Sequence, residues 1–388
     1  MLVIIGSGET SPTMVEIHRR TLPRHGTVLL DTPYAFQENA DEVTEKSVRY
    51  FARNAGRTVR PVPWTDPPDR ALAAVRSAGA VFAGPGSPTY ALRRWAGSDL
   101  TGALRDVLRA GGTVSFASAA AATIGRYTVP VYEVYKCGAE PHWAGGLDLL
   151  SELTGVPTSV VPHFDNAEGG THDTRFCYLG ARRLSALLAE LPRDAVTIGV
   201  DEHTALVLAN GTATVLGKGV VTVLGSLGRQ VFGVGTSISV ADLVACGGTP
   251  SSLPPFDVTA ASPETVASLA STAAVRFDDA LSAREVGVAV DIALDLERTL
   301  REWAADTNLD DDVEHASDVL RRMIVRLGDH ARQGMVEQPV RLARLVDGIQ
   351  AVRARARAAH DYRTADGIRT VLHQAGVEVQ DGPVQPRR

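Results

Sequence analysis

What the chain has little of narrows the possibilities first. Of its 388 residues only Cys137, Cys177 and Cys246 are cysteines. They are odd in number and far apart, which fits reduced thiols and argues against a disulfide frame or a clustered zinc site, so no metal is expected. No apolar run approaches the length of a membrane span. The strand-like start over residues 1–6 lacks a basic flank and a cleavage site, so neither a signal peptide nor a membrane association is expected and the cytoplasm is the expected location. A net charge of -6 gives no global attraction to nucleic acid and leaves only a local basic face open. Gly6 and Gly8, ahead of Glu9, follow the first strand as in a phosphate loop, but the Lys-Ser/Thr ending and the full dinucleotide spacing are missing, which argues against nucleotide binding. No repeat of fixed period occurs.

What is present describes a globular protein. With 44% hydrophobic and 22% charged residues there is material for a core, and the length exceeds what one core organises, so two domains are expected. Apolar runs at 2–5, 27–30, 58–62, 80–83 and 113–117 alternate with segments of helical spacing. Residues 39–55 carry Val43, Val48, Phe51 and Ala55, and residues 99–110 carry Leu100, Leu104 and Leu108. This alternation predicts an α/β fold: a layered, mostly parallel sheet with helices on both faces. Strand-like runs at 203–208, 212–216 and 220–224, separated by Asn210-Gly211 and by Gly217-Lys218-Gly219, predict hairpins that extend the sheet antiparallel. From Cys246 to Glu264 turn formers without periodicity mark a boundary. Beyond it Leu342, Leu345, Ile349 and Val352 fall at helical spacing, so a separate all-α domain is expected. The predicted organisation is an α/β domain over 1–248, a linker over 249–263 and a helical domain over 264–388.

The chemistry centres on residues 111–125, which read as a buried strand turning abruptly into a helix with Ser118 at the turn. A serine at such an elbow has its hydroxyl pushed clear of the sheet, and the next amide helps to hold an oxyanion. Ala117, Ala119 and Ala120 are suitably small, although the glycines usual in an elbow are absent. The plainer alternative is a strand followed by an Ala-rich helix that Ser118 caps. A base and an orienting acid would stand elsewhere in the sequence. His163 follows the strand-like Ser159-Val160-Val161, and Asp201 and Glu202 interrupt an apolar segment, all at strand ends, where α/β sheets place their sites. A lone histidine is ordinarily just a hydrogen-bonded imidazole, and an acidic pair just a solvated turn. Residues 84–90, a Gly-Pro-Gly turn between strand and helix, could cradle an oxyanion or simply turn the chain.

Taken together, Gly6-Ser-Gly-Glu9, Asp31-Thr-Pro33, Phe36-Gln-Glu-Asn-Ala40, Gly84-Pro-Gly86, Ala117-Ser-Ala119, Tyr135-Lys136, His163-Phe164 and the run from Gly199 to Ala205 resemble the cyanophycinase and aspartyl dipeptidase family of serine peptidases, whose fold is similar to that of class I glutamine amidotransferases. The resemblance spans about the first 245 residues. It implies Ser118 as nucleophile, His163 as base and Glu202 as the orienting acid, with Asp165, Asp201 and Glu133 as alternative acids, and the amides of Gly86 and Ala119 as oxyanion donors. Ala120 stands where the family elbow has glycine, so a Cβ there could crowd the oxyanion pocket. An arginine-rich run after His-Phe is also missing, so cyanophycin is not carried over as substrate.

Phe277-Asp-Asp-Ala-Leu281, residues 353–372 and residues 375–383 resemble the C-terminal helical region of cysteinyl-tRNA synthetases. Asp361 can cap a helix whose apolar face is Tyr362, Ala365, Ile368 and Leu372, and Gly376 ends it. Arg353, Arg357 and Arg369 are the candidate RNA contacts, set against the plainer reading of solvated helix faces paired with nearby acids. No synthetase catalytic signature occurs, which excludes aminoacylation. The expected activity is hydrolysis of an amide or ester bond in a small peptide or aminoacyl-type substrate, without a cofactor. The competing reading is an inactive hydrolase fold that binds tRNA or a protein partner, and a homo-oligomer is left open. A glutamine amidotransferase is discounted because its chemistry needs cysteine at the elbow.

Overall fold

The computed structural model describes residues 1–65, 67–167, 172–225, 227–245, 266–303, 310–377 and 379. Strands β1 (Leu2–Ile5), β2 (Thr27–Leu30), β3 (Val59–Val62), β4 (Ala80–Ala83) and β5 (Thr113–Ala117) come first, separated by helices. Then follow β6 (Tyr127–Thr128), β7 (Ala144–Gly145), β8 (Thr158–Val161) and β9 (Val196–Val200). The last strands are β10 (Thr204–Ala209), β11 (Thr212–Gly217), β12 (Val220–Gly225), β13 (Leu227–Gly233) and β14 (Ser237–Ser239).

They form two sheets. The first has the order β14-β11-β10-β1-β5-β4-β2-β3, with β1, β5, β4, β2 and β3 parallel to their neighbours and β10, β11 and β14 added antiparallel. The second has the order β13-β12-β9-β8-β6-β7, in which β6, β8 and β9 run parallel. Alternation of side chains decides what each face packs. Leu2, Ile4, Val81 and Val114 point into one core, while Val3, Ile5, Ala80 and Phe82 point into another. The first core is covered by helices Asp69–Arg76, Pro88–Trp95 and Leu100–Arg109, through Val75, Trp95, Leu104 and Val107. It also takes in Val160, Ile198, Val200 and Val221 of the second sheet, so one apolar layer joins the two sheets. The second core is closed by Met14, Ile17, Tyr50 and Phe51, from the helices on the opposite face. At about 1.5–3 kcal/mol for each buried aliphatic side chain, this layer fixes the register of both sheets.

The helix read over residues 39–55 is an α-helix at Ala40–Tyr50 that loosens into a π turn at Phe51–Ala55, and the one read over 99–110 is Leu100–Arg109. Asn210-Gly211 does close a hairpin, both residues having positive φ, 51° and 75°, as a tight primed turn requires. Gly217-Lys218-Gly219 does not. Instead of pairing with β11, β12 crosses to the second sheet and runs antiparallel to β9. The turn folds back on the start of β10, where Lys218 N–H donates to His203 O at 3.0 Å and Gly219 N–H to Thr204 Oγ1 at 2.8 Å.

The C-terminal region is all helix among its described residues: Val266–Ser282, Val286–Trp303, Asp310–Ala358 and Tyr362–Gln374. By packing, the chain divides into Met1–Ala273 with Leu294–Ser317, and Ala274–Ala293 with Asp318–Arg388. Within the second unit Phe277 is buried under the Arg326 guanidinium, which also pairs with Asp278. Asp361 caps the last helix by accepting from Thr364 N–H at 3.1 Å, and Gly376, with φ 75°, lies just past its end. Ala365 and Leu372 are buried on its inner face, but Tyr362, read from spacing as apolar face, is 56% exposed and turns toward His360 instead. Cys246 and the turn-rich stretch 249–263 lie outside the described residues. No helix among the described residues is long and apolar enough to cross a membrane.

Candidate active site

The parallel strands of both sheets end on one side, and their C-terminal ends supply the polar residues. β5 runs straight into helix Ser118–Ala122, and the strain of the elbow falls on Ser118 itself, whose φ is 49°. A left-handed serine costs on the order of 1–3 kcal/mol and persists only where the surroundings over-determine it. Here β5 is fully buried on one side and Ala120 N–H donates to Gly84 O at 3.2 Å on the other, so the elbow is clamped between strand and turn. This explains why the glycines usual around an elbow can be absent: the strained dihedral belongs to the serine, not to its neighbours.

His163 leaves the end of β8 with φ 47°, and Glu202 lies just past β9. Ser118 Oγ is 2.9 Å from His163 Nε2, and His163 Nδ1 is 2.7 Å from Glu202 Oε1. An ionised carboxylate can only accept, so Nδ1 carries the hydrogen and Nε2 presents its lone pair to the serine hydroxyl. Burial alone would raise the Glu202 carboxyl, but the hydrogen bond and charge interaction with His163, the hydrogen bond from Asn166 Nδ2, 3.0 Å away, and the interaction with His203 together outweigh it and hold the group below its ordinary value. It is therefore ionised at neutral pH. Phe164 seats this segment: its ring occupies the space above Gly199, where a Cβ would come within 2.3 Å, so β9 needs glycine there.

The other acids named from the sequence direct their hydrogen bonds to groups other than the imidazole. Asp165 Oδ1 accepts from the Glu202 backbone N–H at 2.8 Å, and Asp201 Oδ2 accepts from Val220 N–H at 2.8 Å. Burial pushes both carboxyls up from the ordinary range, reinforced at Asp165 by the Glu202 charge and at Asp201 by the charges of Asp165 and Glu202. Glu133 accepts from Thr89 Oγ1 at 2.7 Å and approaches Arg93 at 3.9 Å. Gly86 sits in the turn after β4 with φ 127°, and a Cβ on it would fall 2.1 Å from Pro33 O, so glycine is required there. Ser87 N–H donates to Pro33 O at 2.8 Å and pins the turn, while the amide of Ala119 belongs to the first turn of its helix, where no intrahelical acceptor exists.

Ser118 and His163 open onto a cavity of about 360 Å³ whose wall includes Gly86, Ala119, Tyr132, Tyr135, Lys136 and Tyr178. Ala120 does not line it. Its methyl is fully buried in the main core, so the side chain expected to crowd the site points away from it. One wall comes from an unusual left-handed turn in which Phe176, Cys177 and Tyr178 have φ of 63°, 58° and 64°. Cys177 N–H donates to His163 O at 3.0 Å, and the Tyr178 ring lies 5.8 Å from the His163 ring. Burial pushes the Cys177 thiol up to about 12, so it remains a neutral wall atom.

Two participants were not legible in the sequence. Asn166 is fully buried against Glu202, and only its place three residues after His163 hinted at it. Trp303, about a hundred residues along the chain, packs edge-on against His203 at 5.8 Å, next to Glu202. His203 Nδ1 is in turn 2.9 Å from Thr13 Oγ1 and 3.1 Å from Ser11 Oγ. Of the three candidate RNA contacts, Arg353 is buried, whereas Arg357 and Arg369 are exposed, the latter 3.4 Å from Asp366. Among the described residues no group of His, Cys, Asp and Glu is placed to hold a metal ion.

A peptidase from an acI-B1 Actinobacterium is similar in structure, with a TM-score of 0.50 at 22% sequence identity over 61% of this chain and 96% of that one, which speaks for a shared fold. A candidate peptidase E from Listeria monocytogenes EGD-e aligns with a TM-score of 0.40 at 13% identity, over 56% of this chain and 97% of that one. No curated protein matches the sequence. The profile of peptidase family S51 matches residues 2–216, more than half of the chain, a span within which Ser118, His163 and Glu202 lie. The chain belongs to peptidase family S51.

Proposed function

We propose that the protein is a serine hydrolase that cleaves an amide or ester bond of a small peptide or aminoacyl-type substrate. The observation that carries this reading is the relay of 2.9 Å and 2.7 Å from Ser118 through His163 to an ionised, buried Glu202. Ser118 Oγ attacks the substrate carbonyl while its proton passes to His163 Nε2, and Glu202 stabilises the imidazolium that forms. The amides of Gly86 and Ala119 take the oxyanion. His163 then returns the proton to the leaving group, and water releases the acyl group by the same route in reverse. A cavity of about 360 Å³ lies at the small end of ligand sites, which favours substrates of one or two residues over a polypeptide. The test is amine release from a panel of di- and tripeptides with free and blocked termini. Hydrolysis by the wild type that disappears in Ser118→Ala supports the reading. Equal hydrolysis by Ser118→Ala would overturn it.

For the helical region, taken as a domain over 264–388, we propose docking of a tRNA backbone. The exposure of Arg357 and Arg369 favours it, whereas Arg353, the third candidate, is buried. Binding of total tRNA by the full chain should weaken steeply with salt, and each of Arg357→Ala and Arg369→Ala should lower the slope of log affinity against log salt by about one. Absence of binding at low salt would leave the region as a protein-contact or purely structural module.

A further inference from the structure

The carboxylate that orients His163 is itself held by a short segment of chain. Residues His163, Asp165 and Asn166 reach Glu202 by three separate bonds: Nδ1 to Oε1 at 2.7 Å, Asp165 Oδ1 from the Glu202 backbone N–H at 2.8 Å, and Asn166 Nδ2 to Oε1 at 3.0 Å. Asn166 and His163 thus converge on the same oxygen. Asn166 is fully buried, and a buried amide that donates to a charged oxygen is costly to lose, because the charge is then left without its partner.

The surroundings make that donor important. Among the described residues, the other groups near Glu202 are acidic or neutral apart from His203, whose electrostatic interaction also favours the carboxylate. Asp165 and Asp201 are buried carboxyls, Cys177 is a neutral thiol, and His203 is bound through Nδ1 to the Ser11 and Thr13 hydroxyls. Arg229 acts on Asp201. Besides the imidazole, Asn166 is the side chain seen to donate to the Glu202 carboxylate among the described residues.

We propose that Asn166 is a positioning residue of the hydrolytic site: its amide fixes Glu202 Oε1 against His163 Nδ1 beside two other buried acids. This rests on the serine-hydrolase reading. Loss of the amide weakens the hold on the imidazole tautomer that leaves Nε2 free to accept from Ser118. Space filling alone would make no such demand, and an isosteric acid separates the two roles. In Asn166→Asp the new carboxyl lies about 3 Å from Glu202, so at low pH the two share a proton and the protonated oxygen donates as the amide did. As pH rises that proton leaves and two like charges face each other.

The experiment measures the rate of fluorophosphonate labelling of the full chain from pH 5 to 9, for wild type, Asn166→Ala and Asn166→Asp, with thermal melts at each pH to establish folding. The wild type should rise through the imidazole range to a plateau. Asn166→Ala should be slower by about 10- to 100-fold throughout. Asn166→Asp should approach wild type at the acid end and then fall as pH increases, replacing the plateau with a descending limb. The proposal is overturned if folded Asn166→Asp follows the wild-type profile over the whole range, or if folded Asn166→Ala labels within about twofold of wild type. A wild type whose label is not on Ser118 would instead remove the hydrolase reading on which the proposal rests.

Discussion

Replacing Glu202 by glutamine isolates what the buried acid does. The change conserves shape and keeps the residue inside the same frame of Asp165, Asn166 and His163, but it removes the charge that faces the imidazole from 2.7 Å. For His163 to act as base its imidazole must start neutral, so the attraction between carboxylate and imidazolium is expressed only once the proton has moved from Ser118. Charges about 3 Å apart at an effective dielectric near 20 attract by roughly 5 kcal/mol, and with about 1.4 kcal/mol per tenfold in rate the ceiling on the loss is about 10³–10⁴. Because Glu202 is only 8% exposed, water can recover little of this. A glutamine amide that turns its NH₂ toward Nδ1 would add to the loss by forcing the hydrogen onto Nε2, where it blocks acceptance from the serine. The readout is the second-order rate of fluorophosphonate labelling at pH 8, with circular dichroism to confirm an intact fold. A drop of two to four orders of magnitude is expected. Labelling within about threefold of wild type would refute the reasoning, because the proton would then be handled without this carboxylate.

Two further outcomes follow from side chains whose surroundings contradict or extend the reading of the sequence. Ala120→Gly should leave labelling within about threefold of wild type while lowering stability by about 1 kcal/mol, since its methyl packs in the core and glycine weakens a helix; activation of tenfold or more would show that the methyl crowds the oxyanion site after all. Asp31→Asn concerns stability and pH. Burial raises the Asp31 carboxyl to about 6, offset in part by hydrogen bonds from its own backbone and that of Trp64. A folded value above the unfolded one means that the native state binds the extra proton, so stability falls as pH climbs from about 4 to 6 and stays lower above. The neutral amide avoids this loss, and Asp31→Asn should melt a few degrees above wild type at pH 8 and together with it at pH 4. A difference that is the same at both pH values would show that ionisation is not the cause.

How much of this was legible in the sequence depended on range. Local chemistry was read well: the parallel strands of the first half, the Asn210-Gly211 hairpin, the Ser118 elbow and the Asp361 cap all depend on residues a few positions apart. Ser118, His163 and Glu202 were named through the family resemblance, with other acids left open, and each follows a strand, so that parallel strands deliver them to one edge. The limits came from contacts that sequence distance hides. The turn at Gly217-Lys218-Gly219 has hairpin composition, yet the hydrogen bonds that decide its path come from His203 and Thr204, and they send β12 to another sheet. The left-handed turn at Phe176, Cys177 and Tyr178 contains no glycine to announce it, and it is held by carbonyls of His163 and Phe164. Ala120 looked obstructive because composition gives a residue's size but not its direction.

The central claim is that Ser118 is an activated nucleophile, and the most direct test is intact-protein mass spectrometry after exposure to a fluorophosphonate at pH 8, followed by peptide mapping. The account predicts one adduct per chain, located on Ser118, absent in Ser118→Ala and strongly slowed in His163→Ala. An adduct on another residue, equal labelling of Ser118→Ala, or a folded wild type that takes up no probe would contradict it.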